Sequence, residues 1–313
     1  MQIMRTITVI IPAYNEEKCV EELAVRLTRV FSENPNYEFD VLVIENGSTD
    51  RTFDLLEELH RRDPRFKIIR LARNFGMDGG LTAGLNYAKS DAVVLMTADL
   101  QDPPELISEF ITKWENGFQN IYMEVVTRSG SSWIRSQNSR LFYWIAGRLS
   151  GNRIPKNVSD FRLLDRKVYE VIREMDERNR FVRGLVAWVG FRSVGIPAER
   201  PPRFGGESNA NTFVVLDLAI KGILSHSYIP LKLISIVGFV VFLLSLVSFV
   251  LSVISWVIFG VPFAGFGTIV SLSLFVYGTL SLMLGVIAQY LGLVYEEVKG
   301  RPNFIVAETY GLN

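Results

Sequence analysis

From Leu233 to Tyr295 the chain carries no Asp, Glu, Lys, Arg or His, whereas charged residues are scattered throughout the sequence before it. A run of this length holds two membrane spans of roughly 20 residues each. Gly and Pro in "FGVPFAGFG" (259–267) supply a turn between them. We read one span near 233–258 and a second near 268–292, together a two-helix transmembrane domain at 232–293. The alternative, a buried helical hairpin, requires a very large protein around it. Lys221 and Lys232 precede the first span, Lys299 and Arg301 follow the second, and the turn is uncharged. The positive-inside rule then places both ends on the cytoplasmic side. The expectation is an integral protein of the inner membrane, with the large N-terminal domain, both termini and a tail at 294–313 all cytoplasmic. Residues 211–231 mix apolar and polar side chains at near-helical spacing, which reads as a juxtamembrane amphipathic helix on the membrane surface or as a helix packed on the domain.

The 33 basic and 33 acidic residues leave no net field to draw nucleic acid, so no nucleic-acid partner is expected. Cys19 is the single cysteine and forms no internal disulfide, which agrees with a reducing compartment. Within 1–210, strand-like runs alternate with helical ones. "TITVIIPAY", "FDVLVIEN", "FKIIRLA" and "DAVVLMTA" read as strands, and "EEKCVEELAVRLTRVF", "STDRTFDLLEELHRRD" and "GGLTAGLNYAKS" as helices. Repeated βα units predict an α/β fold with a mostly parallel sheet and helices on both faces. Ligands of such sheets bind beyond the carboxyl ends of the strands.

Every one of those ends is polar here: Pro12, Tyr14, Asn15 and Glu16 after the first strand; Glu45, Asn46, Gly47, Ser48 and Asp50 after the second; Arg73 and Asn74 after the third; Asp99, Gln101 and Asp102 after the fourth. A single polar end is ordinary turn chemistry. Four along one edge make a site. Farther on, "SDFRLLDRKV" (159–168) sets Asp160 and Arg162 on the same side of an extended segment. Arg178, Arg180, Arg183, Arg192, Arg200 and Arg203 then lead towards the membrane run. Guanidinium groups bind phosphate bidentately and keep their charge where water is scarce.

The ordered set "VIIPAYNEE", "ENGSTD", "RNFGMDGGLTAGLNYA", "TADLQDPPE", "SDFRLLDRKV", "RNRFVRGLVAWVGF" and "YEEVKGRP" resembles the polyprenyl-phosphate glycosyltransferases. These are family 2 glycosyltransferases and include dolichyl-phosphate mannose synthase and the bacterial undecaprenyl-phosphate sugar transferases. The resemblance implies a GT-A (Rossmann-like) nucleotide-sugar domain. Its reaction would be inverting transfer of a sugar, a hexose, from a nucleotide-diphosphate sugar to polyprenyl phosphate, with UDP-hexose favoured over GDP-mannose. It places Pro12, Tyr14, Glu16, Glu45 and Asp99 against the nucleotide, and Asp99 and Gln101 on a Mg²⁺ or Mn²⁺ ion. Asp160 and Arg162 become the catalytic pair, and Arg183, Arg200, Arg203 and Ser208 become contacts for the acceptor or diphosphate. It also implies a homo-oligomer, for which Ser245, Ser248 and Ser252 offer small-residue packing.

Three positions depart from the family pattern. Thr97 replaces the first aspartate of the metal motif, Asn46 replaces an acid before Gly47, and Asn209 replaces a lysine after Ser208. Either metal affinity is reduced, or another group such as Asp102 helps; the alternative is a catalytically degenerate membrane-bound protein that binds nucleotide-sugar or lipid phosphate.

Overall fold

The computed structural model describes residues 4–128, 158–178, 180–202, 204, 266–312 and scattered positions between 234 and 258. Apolar runs and amphipathic helices alternate as β1 (Arg5–Ala13), α1 (Val20–Glu33), β2 (Tyr37–Glu45), α2 (Thr52–Arg62), β3 (Phe66–Leu71), α3 (Gly76–Tyr87) and β4 (Ala92–Leu95). The four strands pair in parallel, in the order β4-β1-β2-β3. A short 3-10 turn leads into α4 (Ile107–Glu115), β5 (Asn120–Arg128), β6 (Val158–Asp165), α5 (Arg166–Glu174), α6 (Val182–Val189), β7 (Ser193–Arg200), α7 (Phe266–Lys299) and β8 (Val306–Tyr310).

The complete sheet runs β7-β5-β6-β4-β1-β2-β3-β8 and is mixed where the βα repeat predicts mostly parallel pairing. β6 lies antiparallel to β4 and β5, and β8 antiparallel to β3. Both begin at the carboxyl edge of the parallel strands, so they can only run back down the sheet. β6 thereby starts at the edge where the first four strands end.

Side chains of successive strand residues point to opposite faces, and both faces are covered. Ile7, Val9 and Ile11 pack with α1, α2 and α4, while Ile10, Leu42 and Leu164 pack with α3, α5 and α6. The glycine-rich face of α3 sets its depth: a Cβ on Gly84 would come within 2.2 Å of Ile10 Cγ2. Residues 294–313, expected as a tail, finish α7 and add β8 to the sheet.

α7 is 34 residues long, and Val276–Lys299 within it is long and apolar enough to cross a membrane. Leu272, Tyr277, Leu280, Leu284, Ile287 and Leu291 stand exposed along it. The described positions from 234 to 258 are helical. Residues 211–231 and the serines at 245, 248 and 252 lie outside the described residues.

Candidate active site

At the carboxyl edge, the turn after β4 is held tightly. Leu100 takes a left-handed conformation, φ 59°, while its side chain is 2% exposed. That backbone is costly for a branched residue and persists only where the surroundings impose it. Asp99 Oδ1 accepts hydrogen bonds from the Thr97 hydroxyl (2.7 Å) and the Gln101 N–H (3.2 Å). The Gln101 amide nitrogen reaches the Pro201 carbonyl at 3.5 Å, which ties this turn to the end of β7.

Asp102 is fully buried behind that turn. Its Oδ2 accepts from the Thr97 N–H (3.0 Å) and hydroxyl (2.8 Å), its Oδ1 accepts from Ser159 Oγ (3.2 Å), and Arg200 Nη2 lies 3.9 Å away. Burial pushes the Asp102 carboxyl up, against the pull of Arg200 and the Thr97 bonds. A hydroxyl has one proton, so Thr97 serves Asp99 or Asp102 at a given moment, and its backbone N–H holds Asp102 in both cases. Ser159 is buried beside the start of β6, so Asp102 joins the turn after β4 to the strand that carries Asp160.

Asp160 and Arg162 share a face of β6, as the two-residue alternation expects. Arg183, on the first turn of α6, grips Asp160 with Nε to Oδ1 (2.8 Å) and Nη2 to Oδ2 (2.5 Å). Burial alone would raise the Asp160 carboxyl, but Arg183, with Arg162 and Arg200 behind it, outweighs burial and holds it below the usual carboxylate range. Arg162 is 3% exposed and donates to the Ser159 carbonyl at 2.8 Å. Burial pulls its guanidinium down to about 10, so it stays charged at neutral pH. Asp78, in the first turn of α3, accepts the Val182 N–H at 2.9 Å, beside this pair. Burial pushes its carboxyl up to about 6; Asp160 adds to the rise, and the Val182 bond, Arg183 and Arg180 oppose it.

The ends of β1 and β2 form the next stretch of the edge. Pro12 and Glu16 are buried and Tyr14 is half-buried. Glu45 is fully buried, accepts the Ser48 N–H, and faces Arg70 Nε at 3.4 Å. Asn46 is 3% exposed and uses both ends of its amide: Oδ1 accepts the Phe75 N–H and Nδ2 donates to the Gly76 carbonyl, each at 2.9 Å. An acid at this position would lose the second bond. Gly47 has φ 71°, and a Cβ there would meet the Arg73 backbone at 2.9 Å, so only glycine fits.

The structure therefore gathers Asp99, Gln101, Asp160, Arg162, Arg183 and Arg200 along one edge, with Pro12, Tyr14, Glu16 and Glu45 at the ends of the neighbouring strands. Arg192 goes elsewhere: it stacks on Phe118 before the start of β7, at the opposite edge of the sheet. Arg203, Ser208 and Asn209 lie outside the described residues. Asp78 and Arg70 are further charged groups of the edge that strand-end reading misses, because Asp78 sits inside a helix and Arg70 inside a strand.

The donor set of the β4 turn can be tested against a divalent cation. Asp99 and Gln101 provide hard oxygen donors two residues apart, the class Mg²⁺ and Mn²⁺ prefer. Among the described residues no group of three His, Cys, Asp or Glu is placed to hold a metal. The set thus fits an ion that shares its coordination with a bound phosphate ligand and water.

Residues 8–173 match the glycosyl transferase family 2 pattern. The chain is 39% identical to an uncharacterized glycosyltransferase of Synechocystis, over 98% of this chain and 96% of the relative. It is 33% identical to the SfII prophage-derived bactoprenol glucosyl transferase of Shigella flexneri, over 97% and 98%. Among solved structures, a mycobacterial protein aligns with a TM-score of 0.50 at 17% identity, over 71% of this chain and 75% of that one.

Proposed function

The chain belongs to glycosyl transferase family 2, and from that premise we propose that it transfers a hexose from a nucleoside diphosphate to a polyprenyl phosphate at the membrane surface. The observation that carries this reading is the Asp160–Arg183 pair beside the Asp99–Gln101 turn, with Asp102 and Arg200 between them. In the reaction, an oxygen of the lipid phosphate attacks the anomeric carbon. The bond from that carbon to the diphosphate breaks, the electron pair leaves on the diphosphate, and the configuration inverts.

A phosphate monoester is already largely dianionic at neutral pH, so the nucleophile needs no strong base. Both oxygens of Asp160 are engaged by Arg183. Its role is therefore to hold that guanidinium at the place where the acceptor phosphate arrives, with Arg162 beneath it and Arg200 alongside. Asp99 and Gln101 would hold the Mg²⁺ or Mn²⁺, which supplies positive charge to the leaving diphosphate. Pro12, Tyr14, Glu16 and Glu45 build the wall for the base and ribose, with Glu45 acting through the Ser48 turn it fixes. UDP-hexose is the favoured donor, and Arg203 and Ser208 are further candidates for phosphate contact.

The sheet supports the expected membrane topology. A chain that leaves it at Arg200 and rejoins it at Val306 must cross a bilayer an even number of times. If α7 crosses, residues 201–265 cross too, which favours the two-helix domain at 232–293, both termini cytoplasmic in the inner membrane, and self-association through the spans. A non-catalytic binding protein is the second reading, favoured by the departures at Thr97 and Asn209. The experiment is transfer of radiolabelled sugar from a panel of UDP- and GDP-sugars to undecaprenyl phosphate in detergent, with Mg²⁺, Mn²⁺ or chelator. Chelator-sensitive labelling of the lipid supports the transferase. Nucleotide binding without labelling from any donor supports the binding protein.

A further inference from the structure

The link from α5 to α6, which delivers Arg183, is fastened at three described residues, Glu177, Arg178 and Val182. Both carboxylate oxygens of Glu297, in the last turn of α7, accept the Arg178 N–H, at 2.8 and 3.0 Å. Asn303, beyond the end of α7, donates from Nδ2 to the Glu177 carbonyl at 3.0 Å. Asp78 accepts the Val182 N–H, and the next residue is Arg183. Phe181 itself supplies no side-chain cap to α6, and the bond from Val182 to Asp78 lies at that entry.

The fastening is itself held to the sheet. The Ala72 N–H donates to the Ile305 carbonyl at 2.9 Å, and β8 follows at once. Gly79 of α3 packs so near the link that a Cβ would lie 3.1 Å from the Asn303 carbonyl oxygen. A membrane helix serving only as an anchor requires no more than a flexible linker to the domain. Here its last turn binds the backbone two residues before Arg180 and five before Arg183.

We propose that Glu297 is a positioning residue for the transfer: the end of the membrane helix, through its bonds to the Arg178 backbone, sets where Arg183 meets the acceptor phosphate. Because α7 ends there, the depth of the lipid phosphate and the position of the guanidinium that receives it are fixed by one element. This rests on the reading of Arg183 as an acceptor contact.

The test uses the full-length protein in nanodiscs, with Glu297→Ala, Glu297→Gln and, as a control, the exposed neighbour Glu296→Ala. Tryptic cleavage after Arg178, Arg180 and Arg183 is followed by mass spectrometry, and KM is measured separately for undecaprenyl phosphate and for the donor. Loss of the Glu297 bonds is expected to speed cleavage and raise the acceptor KM by about fivefold each, with the donor KM unchanged. Glu297→Gln keeps an acceptor oxygen and is expected to recover most of both effects. Cleavage in Glu297→Ala at the wild-type rate overturns the proposal, as does an equal rise in both KM values or the same effects in Glu296→Ala. If the wild type transfers no sugar, the functional reading fails, and the cleavage rate alone decides whether the fastening exists.

Discussion

Asp160→Asn is the perturbation whose effect the geometry determines most closely. The pair with Arg183 is bidentate, and its side chains are 30% and 25% exposed. Asparagine keeps one acceptor oxygen but turns an NH₂ group towards the guanidinium, so one of the two bonds is lost. It also removes a negative charge that Arg183, Arg162 and Arg200 all face. A charge-assisted hydrogen bond contributes ~1.5–3 kcal/mol, and partial exposure places this one at the lower end. Thermal unfolding should therefore show a loss of about 1.5 kcal/mol, leaving the protein folded at assay temperature. Transfer to the lipid should fall much further, by about 100-fold or more, because the guanidinium keeps its charge but loses its orientation. Donor binding, measured by calorimetry with UDP-hexose, should be nearly unchanged. An Asp160→Asn protein that transfers sugar at the wild-type rate would refute the assignment of Arg183 and Asp160 as a working pair.

Asn46→Asp should destabilise the protein by about 2 kcal/mol, since it sets a buried carboxylate oxygen against the Gly76 carbonyl; equal melting temperatures would show that the amide is dispensable. Thr97→Asp places a third carboxylate beside Asp99 and Asp102, so it should lower the melting temperature in chelator and regain it in Mn²⁺, while reducing the Mn²⁺ needed for half-maximal transfer. A Mn²⁺ requirement that does not move would count against an ion at this turn. Asp78 has a folded-state value of about 6, above the ordinary carboxylate range. The native state thus retains a proton that the unfolded chain has lost. Stability falls as pH rises from about 4 to about 6 through this group, and Asp78→Asn should flatten that part of the pH–stability curve. Parallel curves for the two proteins would remove Asp78 as its source.

The first four strands were legible because each is an apolar run closed by polar turn residues, and those polar ends lie along one edge of the sheet, the edge of the candidate site. Same-face placement of Asp160 and Arg162 followed from strand periodicity. The Asp160–Arg183 clamp did not, since the two residues lie 23 positions apart on different elements and no local pattern links them. Arg192 shows the same limit from the other side: a run of arginines gives the charge of a surface without saying which edge each one reaches. Asn46 stands where the family pattern has an acid, and the use of its amide, joining the turns after β2 and β3, depends on loops far apart in sequence. β8 had a signal in "FIVAETY", a short β-rich run, but its place beside β3 pairs segments more than 230 residues apart, which no local pattern links.

Mass spectrometry of the lipid product tests the central claim most directly. Full-length protein would be incubated with UDP-hexose, undecaprenyl phosphate and Mn²⁺, and the lipid extracted for mass and anomeric analysis. The account predicts a lipid carrying one hexose and one phosphate, with the anomeric configuration opposite to that of the donor. A product with two phosphates, retained configuration, or no new lipid under conditions where the protein binds the nucleotide would contradict it.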